Sequence, residues 1–458
     1  MIPMHVDLDL IRKFNVPGPR YTSYPPATHF TEQFDRAEWN THLQRNNETA
    51  ERDLSLYYHL PFCESLCWFC GCTTVITTQQ DKSRVYLDYL AKEMDRMAAK
   101  IHPDRQVAQL HLGGGTPTFL TADEILRLGK MVRSHFKIRP DLEAGVEVDP
   151  RRLTEEKVQA LAQAGFNRAS MGVQDNNPKV QEAVHRIQPL EITTQTVEWV
   201  RRAGFESVNI DLIYGLPHQT VKSFEKTLDE ILALQPDRFA VFSYAHVPWM
   251  KPAQKILTDD ILPSAEVKLE LLKLTIEKLC ASGYRYIGMD HFSREGDELT
   301  VAQQEKTLQR NFQGYSTKGG VDIYAFGMSS ISQADNIYWQ NQKELPDYYA
   351  ELDAGRLPVT KAYLLTQEDK IRRPTIMRLM CDLELDYAAM SATLDIDFEK
   401  HFAKELNSLD DLEADGLVER LTGKLKVTDL GRLFIRIIAM RFDEYLIAGE
   451  KGRFSKAI

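Results

Sequence analysis

Between Leu54 and Tyr244, short β-type runs alternate with amphipathic helical stretches, and this alternation constrains the fold more than any other feature of the chain. Strands are expected near residues 55–60, 107–112, 144–148, 168–173, 207–213 and 239–244, and 284–289 reads as a seventh. Helical segments fall between them at 84–99, 122–135, 155–164 and 224–232, with Thr121-Ala-Asp-Glu124 as a capping box. Repeated strand–helix alternation predicts parallel strands joined by right-handed crossovers, hence an α/β barrel or an open doubly wound sheet. Polar or glycine-rich residues follow nearly every strand: the cysteine-rich loop, Gly113-Gly-Gly-Thr116, Glu147-Val-Asp149, Gln174-Asp175, Asp211 with Gly215-Leu-Pro217, and Ala245-His246. Parallel α/β folds gather their active sites at that edge. Several strands each contributing one or two groups favour a partial (β/α) barrel over a single crevice.

The flanks differ from this middle. Residues 1–50 read as an arm, with turn chemistry in Val16-Pro17-Gly18-Pro19 and Ser23-Tyr24-Pro25-Pro26. Residues 51–360 form the expected catalytic domain. From 361 to 458 the alternation stops, and Thr366-Gln-Glu-Asp369 opens a mostly helical domain. Its segment from Gly416 to Val427 has the pattern of a hairpin or winged helix. Winged helices often bind DNA, yet this region carries slightly more acidic than basic side chains, and the chain's net charge is −10. A packing or substrate-covering role is therefore favoured, with no nucleic acid as partner.

No apolar run approaches a membrane span, and Met1 to Phe14 lacks the apolar stretch of a signal peptide. A cytoplasmic monomer is expected, with no membrane partner. Six cysteines are present; Cys63, Cys67, Cys70 and Cys72 cluster within ten residues, while Cys280 and Cys381 stand alone. A tight cluster in a large, unexported chain points to metal or redox chemistry rather than a disulfide framework.

Cys63-Glu-Ser-Leu-Cys67-Trp-Phe-Cys70 directly follows the first expected strand. Thiolates are soft ligands, suited to zinc or to iron–sulfur clusters. A structural zinc site using all four cysteines is one reading, but such sites usually space their ligands as two separated pairs. Three ligands at helical-turn intervals suit a cluster held by three cysteines with one iron left open.

At the other strand ends, Gly113-Gly-Gly115 is either a plain tight turn or a backbone kept bare for a ligand. Alternation puts Val146 and Val148 on one face and Glu147 and Asp149 on the other, and Pro150 ends the strand. Those carboxylates either edge an exposed strand or accept hydrogen bonds from ribose hydroxyls. Asp211, inside Val208-Asn-Ile-Asp-Leu-Ile213, needs a partner or a ligand, because an isolated buried charge is costly. Arg186 is a candidate partner.

Cys-x3-Cys-x2-Cys after the first strand, with Phe69 before the third cysteine, resembles the radical S-adenosylmethionine superfamily. The resemblance narrows through Tyr57-Tyr-His-Leu-Pro-Phe-Cys63, Cys70-Gly-Cys72, Gly113-Gly-Gly-Thr-Pro-Thr118, Glu147-Val-Asp-Pro150, Met171-Gly-Val-Gln-Asp175, Asp211-Leu-Ile-Tyr-Gly-Leu-Pro217, Tyr244-Ala-His246, Asn311-Phe-Gln-Gly-Tyr315 and Gly18-Pro-Arg-Tyr-Thr-Ser-Tyr-Pro25. These resemble the oxygen-independent coproporphyrinogen III oxidases (coproporphyrinogen dehydrogenases) nearly end to end. The family implies a 4Fe–4S cluster on Cys63, Cys67 and Cys70. It also implies two S-adenosylmethionine molecules lined by Tyr57, Phe69, Gly114, Gly115, Thr116, Glu147, Gln174, Arg186, Asp211, Ala245 and Ile331. Cys72 and Tyr57 stand as catalytic candidates. Departures are small: His185 precedes Arg186 where Asn is common, and Ala325 replaces a frequent Gly.

The implied reaction is oxidative decarboxylation of coproporphyrinogen III to protoporphyrinogen IX in haem (porphyrin) biosynthesis. A 5′-deoxyadenosyl radical abstracts a propionate β-hydrogen, and a one-electron donor protein such as a flavodoxin or ferredoxin is the expected partner. The haem-chaperone branch of the superfamily is the alternative; it typically lacks the arm and a cysteine at the place of Cys72, and both are present here. The substrate carries four carboxylates, so Arg20, Tyr21 and Tyr24 are candidates to hold it, against an arm that merely packs.

Overall fold

Leu54-Ser-Leu-Tyr-Tyr-His-Leu60 is apolar on nearly every residue rather than every second one, the pattern of a strand covered on both faces. In the computed structural model, which describes residues 6–447 and 454, this run is β1 (Leu54–Leu60), buried along almost its whole length. It is followed by β2 (Gln106–Gly114), β3 (Lys137–Val148), β4 (Arg168–Gln174), β5 (Ser207–Tyr214) and β6 (Arg238–Ser243). Each pairs in parallel with the next, so the six expected strands form in the expected order.

The crossovers carry α1 (Asp81–Ala98), α2 (Ala122–His135), α3 (Glu155–Ala164), α4 (Leu190–Arg202) and α5 (Val221–Ala233). The capping box of α2 is closed in both directions, Glu124 N–H to Thr121 Oγ1 at 3.2 Å and Thr121 N–H to Glu124 Oε2 at 2.9 Å. On the far side of β1 lies Asp322–Phe326, also parallel, then three antiparallel strands, Ile331–Gln333, Ile337–Asn341 and Val359–Leu364. The sheet stays open, and the fold is an α/β partial barrel.

These elements belong to the larger of two compact units, Phe30–Ser264 with Gly320–Leu364. The smaller comprises the described residues up to His29, Ala265–Gly319 and those from Leu365. In it, Tyr284–Gly288 is a strand, but an antiparallel one, turning at Met289 (φ 57°) onto His291–Arg294. The reading of 284–289 as a seventh member of the parallel series is thereby corrected. A β-rich run cannot by itself declare whether it leads to a crossover or a tight turn.

Further on, Gln367–Asp382 is a helix opened by the Thr366–Asp369 capping box. Glu384–Asp386, Lys424–Val427 and Val418–Leu421 form a three-stranded antiparallel sheet, its hairpin lying where the pattern from Gly416 to Val427 indicates.

The arm is more structured than its turn chemistry suggests. Asp7 caps a helix over Leu8–Phe14, and Asp35 caps one over Arg36–Asn46. The second buries only Trp39 and Leu43, too little apolar surface to leave a clear period in the sequence. Among the described residues no helix is long and apolar enough to cross a membrane.

Candidate functional site

The cysteine loop leaves β1 and is closed at its neck. Phe62–Cys63 pairs in parallel with Val75–Ile76, through Val75 N–H to Pro61 O at 2.8 Å and Thr77 N–H to Cys63 O at 2.9 Å. The glycine loop after β2 is sewn to the same neck: Gly115 N–H donates to Leu60 O (2.8 Å) and Thr116 N–H to Phe62 O (2.9 Å). Between its ends, the cysteine loop is gripped from two other connections. Trp68 N–H donates to Val184 O at 3.0 Å, and the Trp68 ring stacks on His185. Gln254 Nε2 donates to Phe69 O at 2.9 Å and Lys251 Nζ to Cys72 O at 2.8 Å. Trp68 and Phe69 pack against the buried cluster of Val180, Val184, Leu216, Tyr244 and Leu257. A loop held this way can present Cys63, Cys67 and Cys70 in a fixed arrangement.

The three thiols border a cavity of about 820 Å³, open to solvent, at the C-terminal edge of the parallel strands. Phe69, Cys72, Gly114, Gly115, Thr116, Glu147, Gln174, Arg186 and Asp211 also line it, so one space collects most of the residues singled out from the sequence. Tyr57, Ala245 and Ile331 stand outside that lining. Tyr57 stacks on His111 with its hydroxyl 3.2 Å from His59 Nδ1. Ala245 is exposed just beyond β6, and Ile331 opens its strand opposite Gln340.

The glycine triplet is required by the protein itself. A Cβ on Gly115 would lie 2.5 Å from the Pro61 carbonyl oxygen; one on Gly114, whose φ is +115°, would lie 2.8 Å from the His59 ring. Bare backbone is what lets β2 close onto the cysteine neck.

The carboxylates differ in state. Asp211 is driven up to about 7 by burial and by the charge of Glu147, although Asn209 Nδ2 (2.7 Å) and Ser170 Oγ (3.2 Å) donate to it. Burial acts on Glu147 too, but His111 Nε2 (3.4 Å) and Gly114 N–H (3.3 Å) outweigh it and hold the group below its ordinary value. Its side chain keeps 45% of its surface open. Asp149 is held down at about 2: burial opposes ionisation, but Arg186 and Arg151 more than compensate.

Arg186 is therefore not the partner of Asp211. Its guanidinium reaches Asp149 (3.4 Å), the Gly172 carbonyl (2.6 Å) and the Cys67 sulfur (3.6 Å). The direct donors to Asp211 are the neutral Asn209 and Ser170, and the Arg186 charge acts on it only from a distance. Reading Asp211 alone obscured this, since the Asn209 and Ser170 partners follow from alternation two residues before Asp211 and across on β4.

Among thiols, Cys63 is raised to about 11 by burial. Cys70 is lowered by a hydrogen bond from Cys72, which is itself pushed up as the donor that keeps its proton. Among the described residues no three Cys, His, Asp or Glu side chains converge on a single-ion site. The thiolates of an iron–sulfur cubane each meet a different iron, so they need not converge. A soft three-thiol set on a pinned loop, with hydrogen-bond donors on its sulfurs, fits that group.

Arg20, Tyr21 and Tyr24 lie in the smaller unit. Tyr21 and Tyr24 are fully buried; Tyr21 donates to Asp443 Oδ2 at 2.8 Å, and the Tyr24 oxygen accepts from Glu444 N–H at 3.1 Å. Both hydroxyls thus tie the arm to the C-terminal segment, the arrangement of an arm that packs. Arg20 stays partly exposed and pairs with Asp290. The sequence reading missed Arg151, Ser170 and Asn209. Two-residue alternation back from Gln174 and Asp211 would have found the last two.

Comparison with known proteins matches this layout. A model of the radical SAM superfamily matches residues 57–231, and one of the HemN C-terminal domain matches 365–434. The chain is 45% identical over 455 residues to the oxygen-independent coproporphyrinogen III oxidase of Synechocystis sp., covering 98% of this chain and 97% of that one. It is 47% identical to the enzyme of that name from Escherichia coli, covering 96% and 95%. The solved structure of coproporphyrinogen III oxidase from Escherichia coli, described as a radical SAM enzyme, superposes with a TM-score of 0.92 at 45% identity, covering 97% of this chain and all of that one. With the cysteine loop, the cavity and both regions matched, the chain belongs to the radical SAM superfamily and, within it, to the oxygen-independent coproporphyrinogen III oxidase family.

Proposed function

We propose that this chain converts coproporphyrinogen III to protoporphyrinogen IX without oxygen, as an oxidoreductase of haem biosynthesis. The observation that carries the reading is the cavity that puts Cys63, Cys67 and Cys70 opposite Glu147 and Asp211 in a chain matched end to end by the named relatives. When bound, a 4Fe–4S cluster and S-adenosylmethionine supply a carbon-centred radical, which takes a hydrogen from the propionate β-carbon.

The protein's part is to bind, orient and exclude water. Cys63, Cys67 and Cys70 hold the cluster on the pinned loop. Ionised Glu147 accepts hydrogen bonds from ribose hydroxyls, while Asp211, raised to about 7, keeps a proton on part of the population near neutrality and can both donate and accept. Arg186, fixed by Asp149, offers a cation at the sulfur side of the cavity and has a buried Nε with no partner among the described residues. Phe69, Gly114, Gly115, Thr116 and Gln174 shape the remaining wall. Two S-adenosylmethionine molecules serve two propionates, with Tyr57, Ala245 and Ile331 completing the residues that line the pair; Tyr57 and Cys72 are the catalytic candidates, Cys72 near the second cofactor or the substrate. Electrons arrive from a one-electron carrier such as a flavodoxin or ferredoxin.

The test is anaerobic turnover of the cluster-replete protein with reductant, S-adenosylmethionine, coproporphyrinogen III and an electron acceptor. Protoporphyrinogen IX, two 5′-deoxyadenosines and two carbon dioxides per product are expected. β-Deuterated substrate should pass its label to 5′-deoxyadenosine. Tight haem binding without decarboxylation would replace this reading with a haem-chaperone role.

A further inference from the structure

Each proposed cluster ligand has a hydrogen-bond donor on its sulfur, but the donors are unlike. Cys63 faces the Thr116 hydroxyl at 3.3 Å, and Cys70 accepts from the Cys72 backbone N–H at 3.4 Å. Cys67 instead meets two guanidiniums, Arg151 Nη2 at 3.5 Å and Arg186 Nη1 at 3.6 Å. Both arginines are tethered to Asp149. Arg151 grips it through Nε (2.9 Å), Nη2 (2.6 Å) and its backbone N–H (3.1 Å), and Arg186 adds a contact at 3.4 Å. The side chains of Arg151 and Asp149 are only 15% and 11% exposed. Asp149 caps the short 3-10 turn Pro150–Arg152, so backbone and carboxylate together aim Arg151 at the sulfur.

We propose that Arg151, anchored by Asp149, is a positioning residue for the cluster that raises its reduction potential through the Cys67 sulfur; this rests on Cys63, Cys67 and Cys70 being the ligands. Reduction adds one electron and no proton to the cluster. Hydrogen bonds to a ligand sulfur and nearby positive charge favour the more negative, reduced form. Two guanidiniums against one carboxylate leave a net positive charge at this corner, whereas the donors at Cys63 and Cys70 are neutral. Arg152 is the internal control, being more exposed and paired outward to Glu64 at 3.1 Å.

The experiment is an EPR-monitored redox titration of the reconstituted full-length protein, alongside iron and sulfide analysis. Arg151→Met keeps most of the side-chain length, excludes water and removes the donors. It should bind wild-type iron and titrate at a more negative midpoint with an altered signal of the reduced cluster, while Arg152→Gln stays at the wild-type midpoint. A cluster-replete Arg151→Met at the wild-type midpoint overturns the proposal. If Arg151→Met takes up no cluster, Arg151→Lys decides: a negative shift supports the proposal, and a wild-type midpoint or loss of the cluster overturns it. Wild-type protein that takes up no iron would instead remove the ligand assignment itself.

Discussion

Asp211 sits in a strand of apolar residues, and two neutral side chains, Asn209 and Ser170, keep it there. Because burial raises this carboxyl from 3.8 to about 7, its stability contribution is lost as the pH rises through that range, and Asp211→Asn, which cannot ionise, should gain thermal stability relative to wild type between pH 4 and pH 7. Asp211→Ala removes the acceptor of the Ser170 hydroxyl and one of the two acceptors of the Asn209 amide, which keeps Ser170 Oγ at 2.8 Å, and should cost about 1–2 kcal/mol. Thermal midpoints of the two variants check this, and equal losses in both would contradict it. S-Adenosylmethionine affinity, measured by equilibrium binding, should fall more in the alanine variant than in the asparagine one. The thiols give a second residue-level expectation. Serine at Cys63, Cys67 or Cys70 should abolish iron uptake, whereas Cys72→Ser keeps a hydroxyl donor toward Cys70 and should retain the cluster while losing turnover. Iron and sulfide content decide, and a cluster-free Cys72→Ser would make Cys72 a structural ligand. The cysteines were legible in the sequence because their chemistry resides in spacing. The tie between Arg186 and Asp149 was not, because it joins residues 37 positions apart.

At the scale of elements, the parallel strands were readable because burial on both faces leaves continuous apolar runs. The helix Arg36–Asn46 was not, since it covers the core with two side chains only. The grip on the cysteine loop was equally hidden, for it depends on side chains from distant connections. Gln254 is the clearest case: 1% exposed, it accepts from Val247 N–H at 2.6 Å and donates to Phe69 O at 2.9 Å. Gln254→Ala leaves both backbone groups without that partner and should lower stability by about 1–3 kcal/mol. It should also slow cluster uptake, because the loop then closes less often into its ligating shape. Reconstitution rates followed by absorbance test this, and wild-type uptake in a destabilised Gln254→Ala would show that the neck bonds alone order the loop.

At the scale of the larger unit, one buried charge fastens its two kinds of strand together. Glu93 on α1 is 2% exposed and accepts from Gly327 N–H (2.8 Å), Asn341 Nδ2 (2.7 Å) and the Tyr348 hydroxyl (2.6 Å). The crossover helix is thereby tied to the antiparallel extension beyond Asp322–Phe326. Burial raises this carboxyl to about 7 despite those donors. A folded value above the unfolded one near 4.5 means the folded state binds the proton more tightly. The associated stability is thus full below about pH 4.5 and is lost as the pH climbs through 7. The amount is on the order of 3 kcal/mol. Glu93→Gln cannot ionise and lacks this dependence. Its thermal midpoint relative to wild type should therefore rise between pH 5 and pH 8, with most of the change below pH 7. A constant difference across that range would mean that the three donors hold Glu93 ionised throughout, as a fixed anionic clasp rather than a titrating one.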